Sequence, residues 1–523
     1  MIVAAGESRI ISTAYALGST RERKRDLRST LDAQQRIAEL EAALATAHAR
    51  IVEQDARIAE QDSRIAEQET RIAALTKRVE ELLEKLGQNS RNSHLPPSSD
   101  PPGAGPQRKP KGTTRKRGGQ RGHRGTFREL VAASEVDEVV DLFPPQCENC
   151  WDTLPEVVDL EALRYQVTEV PPIKPHTKEF RRHEVECTCG HRTRAAYDPA
   201  TIPSSRFGPR LVALVALLTG VYHISRRRTG QLLDDVLGVQ LSLGAISAIE
   251  ARVSDAITAP VTEAWEHVKD AAVKHTDGTS WLQAGVAMCL WTVATATATV
   301  FKVLADGSKN TLAPLFGKLT GVLVSDRAKA LNFWVMDRRQ ICWAHLLRKF
   351  VSFSERAGPA AVIGNELLDL TALVFEYHHN YRSGKLSKDK LLEWMAPVRA
   401  QFEALLERAA AADIERLSGS CADILAHRQA LWAFLERDDV DPTNNHAERE
   451  LRAFVLWRRR SFGTQSDRGN VFAERVMTVA HTTRKQRKNT FAFLIACVRA
   501  HIDGTPTPSL FTTTHSAPAA CAA

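Results

Sequence analysis

The sequence predicts a segmented chain of mixed α/β (α+β) class, and three observations predict it. A heptad column of apolar residues opens the ordered part. Two cysteine pairs follow in the middle, and a strand, strand, strand, helix, strand pattern begins near residue 271. The 523 residues carry 70 Lys plus Arg against 62 Asp plus Glu, a net +8 whose meaning depends on where the charge gathers. The longest apolar run, Leu211 to Leu218, is far short of the roughly 20 residues that cross a bilayer, and the first 30 residues hold Glu7, Arg9 and RERKR where a secretory core would lie. No membrane partner is expected. Nine cysteines, an odd number, argue for a reducing bacterial cytoplasm in which close pairs bind metal.

Residues 1–30 read as a disordered N-terminus, and residues 31–87 as a coiled coil. Ile37, Leu44, Ile51, Ile58, Ile65, Ile72, Val79 and Leu86 fill one heptad position through repeats such as ARIAEQD and SRIAEQE. The matching d positions are Leu40, Ala47, Gln54, Gln61, Gln68, Leu75 and Leu82. β-Branched a residues favour a parallel dimer, and buried glutamines restrict its register, so self-association is expected. The alternative is a solitary helix folded against its own chain.

Residues 88–130 are a linker, first rich in Pro and Ser and then basic. Residues 107–128 hold nine Lys or Arg and no acid, and Arg108, Lys109, Lys111, Arg115, Lys116, Arg117, Arg121 and Arg124 are the expected nucleic-acid contacts. A solvated tether is the bland alternative. Residues 131–200 carry Cys147-x-x-Cys150 and Cys187-x-Cys189-Gly-His191, joined by strand-like LRYQVTEV and FRRHEVEC. Four thiolates around a structural Zn²⁺ would replace the missing core of so small a module, with His191 a possible substitute for Cys189.

Residues 201–270 read as helices: one from Pro209, one over RRRTGQLLDDVL, a turn at Gly238, and one capped by Ser242, a helix-turn-helix pattern with Arg226, Arg227 and Arg228 placed near a DNA backbone. A helix is expected to end near Lys274. Residues 271–503 then form the main domain, mostly helical in pattern at about 340–440, and residues 504–523 form a disordered tail. Asp277 falls on the first strand of this domain and Asp326 at the end of the fourth, where the chain should pass into a helix. If those strands are neighbours, the two carboxylates face one another, and the hard cation that like charges require is Mg²⁺ or Mn²⁺. Glu448 in DPTNNHAERELR, in the first turn of a helix started by Pro442 to Asn445, is the third acid. Arg449, Arg452, Arg458, Arg459 and Arg460 follow it as candidate phosphate contacts, with Arg468, Arg484, Lys485, Arg487 and Lys488 further on.

LGQNSRNSHLPPSSD, GGQRGHRG, the two cysteine pairs, HTDGTSW, VSDRAKAL, CWAHLLRKF and NNHAERELR occur in an order that resembles the transposases of the insertion sequence 66 family, the TnpC-like type. The resemblance implies a ribonuclease-H-like catalytic core of the DDE kind. Asp277, Asp326 and Glu448 would then be the catalytic, Mg²⁺-holding triad, DNA ends and target DNA the partners, and other proteins of the same element possible companions. It also implies that the stretch between Asp326 and Glu448 is an insertion within the core. The first motif reads Asp-Gly where many relatives have Asp-Glu. Cys342, His345, Arg348 and Lys349 of CWAHLLRKF read either as supports of the site or as ordinary packing. The competing function is a non-catalytic or decayed DNA-binding regulator, and a third is a stand-alone nuclease.

Overall fold

The structure, a computed structural model, describes residues 20–89, 91–93, 129–198, 201–203 and 205–511. It divides after Gln88 into two compact units. The basic contacts from Arg108 to Arg124 lie outside the described residues.

The first unit is one helix, α1 (Thr20–Leu86). It starts at Thr20, inside the stretch expected to be disordered, because RERKRDLRSTLDAQQ contains no Gly or Pro to stop propagation. Its heptad column stands in solvent: Ile51 and Ile65 are each 51% exposed and Ile72 63%.

The second unit opens with an extended stretch. Residues 129–198 contain one small hairpin, β1 (Glu184–Glu186) paired antiparallel with β2 (Arg192–Arg194), and an isolated bridge between Gln146 and Thr153. The strand expected over LRYQVTEV is not formed. Its alternating pattern has no partner strand to pair with, and Leu163 and Tyr165 are left exposed.

From Pro209 the chain becomes densely packed. Helices α2 (Pro209–Ala216), α3 (Arg226–Leu237), α4 (Leu243–Ala256) and α5 (Thr258–Asp270) follow the expected pattern, with Ser225 and Ser242 accepting cap hydrogen bonds and Gly238 in the left-handed conformation. A π-helical turn over Leu217–Val221 ends α2. A Cβ on Gly220 would come within 2.6 Å of Val476, so this turn can meet that side chain only through glycine. Arg226, although exposed, is already paired: its guanidinium lies 2.5 Å from the buried Glu250. Lys274 lies beyond the end of α5, within the next strand.

That strand is β3 (Val273–Gln283), followed by β4 (Val286–Ala294), β5 (Thr299–Leu304), helix α6 (Lys309–Phe316) and β6 (Val322–Ser325), as the pattern predicts. A fifth strand, β7 (Arg339–Ile341), was not anticipated. The sheet order is β5-β4-β3-β6-β7, antiparallel from β5 to β3 and parallel from β3 to β7. The helix expected directly after VLVS is a loop and a short 3₁₀ turn, Lys329–Leu331.

Both faces of the sheet are covered. Alternation along β6 shows it: Leu323 packs into one core cluster and Val322 and Val324 into another. The second cluster is built by the insertion, helices α7 (Trp343–Ser354), α8 (Pro359–Arg382), α9 (Lys388–Ala411), α10 (Ser418–Ala426) and α11 (Ala433–Glu436), around Trp343, Phe402 and Trp432. The first is completed by α12 (Asn445–Ser461), α13 (Asp467–Lys485) and α14 (Thr490–Asp503). Between α12 and α13, Gly463 at φ +90° brings the backbone against Leu282, where a Cβ would lie 2.0 Å from the carbonyl oxygen.

Candidate active site

The site forms at the carboxyl ends of the parallel strands. His275 pairs with Val324 in the β3–β6 register. Asp277 lies two residues further along β3, and Asp326 directly follows the last residue of β6, the neighbouring strand about 4.8 Å away. Both line a cavity of about 500 Å³ together with Gly278, Met288, Trp291 and Asp306. A Cβ on Gly278 would fall 2.8 Å from the Trp291 ring, so a larger residue there would displace a cavity wall.

Each aspartate is tied to its turn. Asp277 Oδ1 accepts from the Gly278 amide at 2.9 Å, and Asp326 Oδ1 from the Ala328 amide at 2.9 Å. Behind Asp326, the fully buried Arg339 donates to the Asp326 carbonyl at 2.8 Å, to Ser325 Oγ at 3.2 Å and to Asn332 Oδ1 at 3.2 Å. The unforeseen strand β7 thus carries the guanidinium that fixes the loop after β6.

Glu448 arrives from α12. Asn444 does not cap that helix as helix-start chemistry suggests. Its amide nitrogen reaches the Thr276 carbonyl at 2.7 Å, and its backbone N–H donates to Cys342 Sγ at 3.1 Å. One residue therefore pins the start of α12 both to the strand beside Asp277 and to the start of α7. Glu448 then lies in the first turn, where the helix dipole favours a carboxylate. Arg348 contacts its two oxygens at 3.2 and 3.3 Å, and His345 Nδ1 is 3.6 Å from one of them.

Burial, then the negative charges of Asp326 and Glu448, push the Asp277 carboxyl up to about 8. Among the described residues these three acids do not form a set with all ligand oxygens within 4.8 Å; the one set of three metal-binding side chain types that does is Cys342, His345 and Glu448. Like charges hold such carboxylates apart until a cation screens them. The donor chemistry suits a hard divalent ion: Asp277 and Asp326 line one cavity, and the charge of Glu448 is felt at Asp277.

The other expected site residues are distributed. Arg449, Arg452, Arg459 and Arg460 are exposed on α12. Arg458 is anchored, donating to Thr279 Oγ1 at 3.2 Å and Ser280 Oγ at 2.5 Å on β3. Lys485 is drawn inward, 3.2 Å from Glu450 and 2.8 Å from His446. The two cysteine pairs are not gathered into one ligand set among the described residues. Each nevertheless forms a similar turn: backbone N–H groups of Cys150 and Asn149 lower the Cys147 thiol, and that of Cys189 lowers Cys187. Left-handed residues follow, Trp151 at φ 62° and Gly190 at φ 83°. The sequence had signalled Cys342 and His345 through their three-residue spacing. Nothing in it signalled Arg339, since an arginine in a short polar segment gives no sign of burial.

Residues 53–129 match a family of unknown function (DUF6444). No curated protein matches the chain. The model of the Transposase IS66 family matches residues 204–471, just over half of the sequence and a span holding Asp277, Asp326, His345, Arg348 and Glu448. The chain is therefore a member of the IS66 transposase family.

Proposed function

We propose that the chain is a DDE-type DNA transposase with a ribonuclease-H-like core, which binds the ends of its insertion sequence, hydrolyses a phosphodiester there and joins the resulting 3′-hydroxyl to target DNA. One observation supports the reading: Asp277 and Asp326 each follow by two residues the paired His275 and Val324 of adjacent parallel strands, and Asn444 ties the start of the helix bearing Glu448 to β3. The sheet order supports it, with three antiparallel strands and two further parallel ones outside the first.

Asp277, Asp326 and Glu448 would hold Mg²⁺ or Mn²⁺. When bound, such ions activate the attacking oxygen and stabilise the leaving one. The residues around them supply position and charge. Asp277 and Asp326 are fixed by their turns and by Arg339. Arg348 balances Glu448 and limits its swing. Arg449 and Arg452, exposed on the helix that carries Glu448, offer positive charge to phosphates that the acids alone would repel. The cavity beside the aspartates gives space for the scissile nucleotide. Arg459 and Arg460 extend the same exposed basic face, whereas Arg458 acts as an anchor between α12 and β3.

The remaining segments fit the same task. The exposed heptad column of α1 would pair two copies in parallel, and residues 107–128 would bind DNA without sequence preference. Cys147, Cys150, Cys187 and either Cys189 or His191 would hold Zn²⁺, because N–H donors already favour the thiolate at the first cysteine of each pair. Companion proteins of the same element and association with the nucleoid belong to this reading as well.

The test uses the full chain and DNA carrying the element's ends. Strand transfer should need Mg²⁺ or Mn²⁺ and fall to background in Asp277→Asn, Asp326→Asn and Glu448→Gln, while binding to the DNA ends survives. Cleavage that persists in these variants would overturn the assignment. Binding without any cleavage by the unmodified chain would favour a DNA-binding regulator.

A further inference from the structure

We infer that Cys342, His345 and Glu448 form a second metal site, selective for softer divalent transition ions such as zinc or cobalt, and that an ion held there withdraws Glu448 from the magnesium centre. The inference rests on the reading of Glu448 as a magnesium ligand for its consequence, but not for the binding itself.

The geometry is specific. Cys342 is the single residue between β7 and α7 and His345 lies in the first turn of α7, so a Cys-x-x-His spacing at a helix start presents both side chains to one side. Their ligand atoms and a Glu448 oxygen all lie within 4.8 Å of one another. Tetrahedral ligands at zinc distances are separated by about 3.5 Å, so no edge needs to contract by more than about 1.3 Å, a range that side-chain rotation covers. Two details point to a ligand. His345 Nδ1 is buried without a hydrogen-bond partner and is directed at Glu448. Cys342 Sγ accepts a hydrogen bond from the Asn444 amide, an interaction that strengthens when sulfur carries negative charge. An unpaired buried nitrogen is costly, and a metal bond would satisfy it.

The donor set decides the ion. One sulfur, one imidazole nitrogen and one carboxylate oxygen suit zinc or cobalt and suit magnesium poorly, whereas the carboxylates of Asp277 and Asp326 suit the reverse. Binding replaces the Cys342 proton, which leaves to solvent, with a metal–sulfur bond. Glu448 belongs to both sets. A soft ion would therefore switch the enzyme off by taking an oxygen that the magnesium centre needs, and chelation would switch it on again. Arg348, already on Glu448, would remain beside the occupied site as a positive charge and keep its affinity moderate.

The test is titration of the full chain with cobalt(II), followed by absorption, with Cys342→Ser as the reference at the same cobalt load. Contributions from the exposed cysteines cancel in the difference. The expected result is a thiolate-to-cobalt charge-transfer band in the difference between the unmodified chain and Cys342→Ser, with His345→Ala and Glu448→Gln also falling below the unmodified chain. The latter two variants keep the test decisive should Cys342→Ser fold poorly, which circular dichroism would show. An unchanged band in Cys342→Ser, or no band at millimolar cobalt, would overturn the site. In strand transfer, zinc should inhibit the unmodified chain and inhibit Cys342→Ser at least about 10-fold less, each relative to its own zinc-free rate. Equal inhibition of both would overturn the switch. The cobalt spectrum needs neither DNA nor turnover, so it can fail while the transposase reading stands, and the reverse.

Discussion

Asp277 shows how one carboxyl couples the site to the stability of the chain. Its ordinary value of 3.8 is raised to about 8 by burial and by Asp326 and Glu448. In that window the folded chain keeps a proton that the unfolded chain has released, so stability declines as pH rises from about 4 to about 8. The thermal midpoint of ion-free protein should fall across this range. Asp277→Asn should flatten the decline, and added Mg²⁺ should restore the midpoint at its upper end; an unchanged slope in Asp277→Asn would contradict the assignment. Asn444 offers a second check. Its side chain is fully buried and holds the Thr276 carbonyl, so Asn444→Ala should cost about 1–3 kcal/mol in denaturant unfolding and reduce activity as well, through loss of the α12 position. The sequence showed that Asn444 stands at a helix start but not that its amide spans to another strand. Asp326 and Glu448 stand where a regular element ends or begins, whereas Asp277 lies in the interior of β3 and was marked only by its motif. The partners of Glu448 were legible only as a motif, since a Cys-x-x-His spacing does not say what lies opposite.

At the scale of elements, periodicity was informative wherever a face is buried. β6 alternates between two cores, β4 and β5 bury their apolar runs in the first, and all three were read correctly together with β3, as were Ser225, Ser242 and Gly238 at their helix ends. β7 escaped because Arg339 and Gln340 are buried through hydrogen bonds, which leave no apolar signature. LRYQVTEV misled for the opposite reason: it alternates, yet no neighbouring strand completes it. α1 shows a third case, a heptad pattern whose apolar column stands exposed. If its column is a dimer seam, Ile58→Asp with Ile65→Asp should lower the mass found by light scattering to that of a single chain. Gln61→Leu should raise the melting temperature of the assembly, because a polar d residue costs coiled-coil stability. A single-chain mass for the unmodified protein would remove the dimer from the account.

For the whole molecule, catalysis and DNA capture are assigned to different stretches. Positive charge lies on the exposed face of α12, close to the acids, and in residues 107–128, far from them in sequence. Replacing Arg108, Lys109, Lys111, Arg115, Lys116, Arg117, Arg121 and Arg124 by Gln should weaken binding to every DNA similarly. The slope of log affinity against log salt should flatten by about 0.9 for each phosphate left without its cation. A loss confined to the element's ends would instead make this segment a reader of sequence. The family match begins at residue 204, so it supports the chemistry of the second unit and leaves the coiled coil and the cysteine module to their own tests.

In the proposed mechanism three distant acids jointly hold the divalent ions at a scissile phosphate. Electron paramagnetic resonance of Mn²⁺ bound to the full chain with end DNA measures this without requiring turnover. The account expects Mn²⁺ bound in the unmodified complex and lost, wholly or in part, in Asp277→Asn, Asp326→Asn and Glu448→Gln alike. Undiminished binding in all three variants would contradict it.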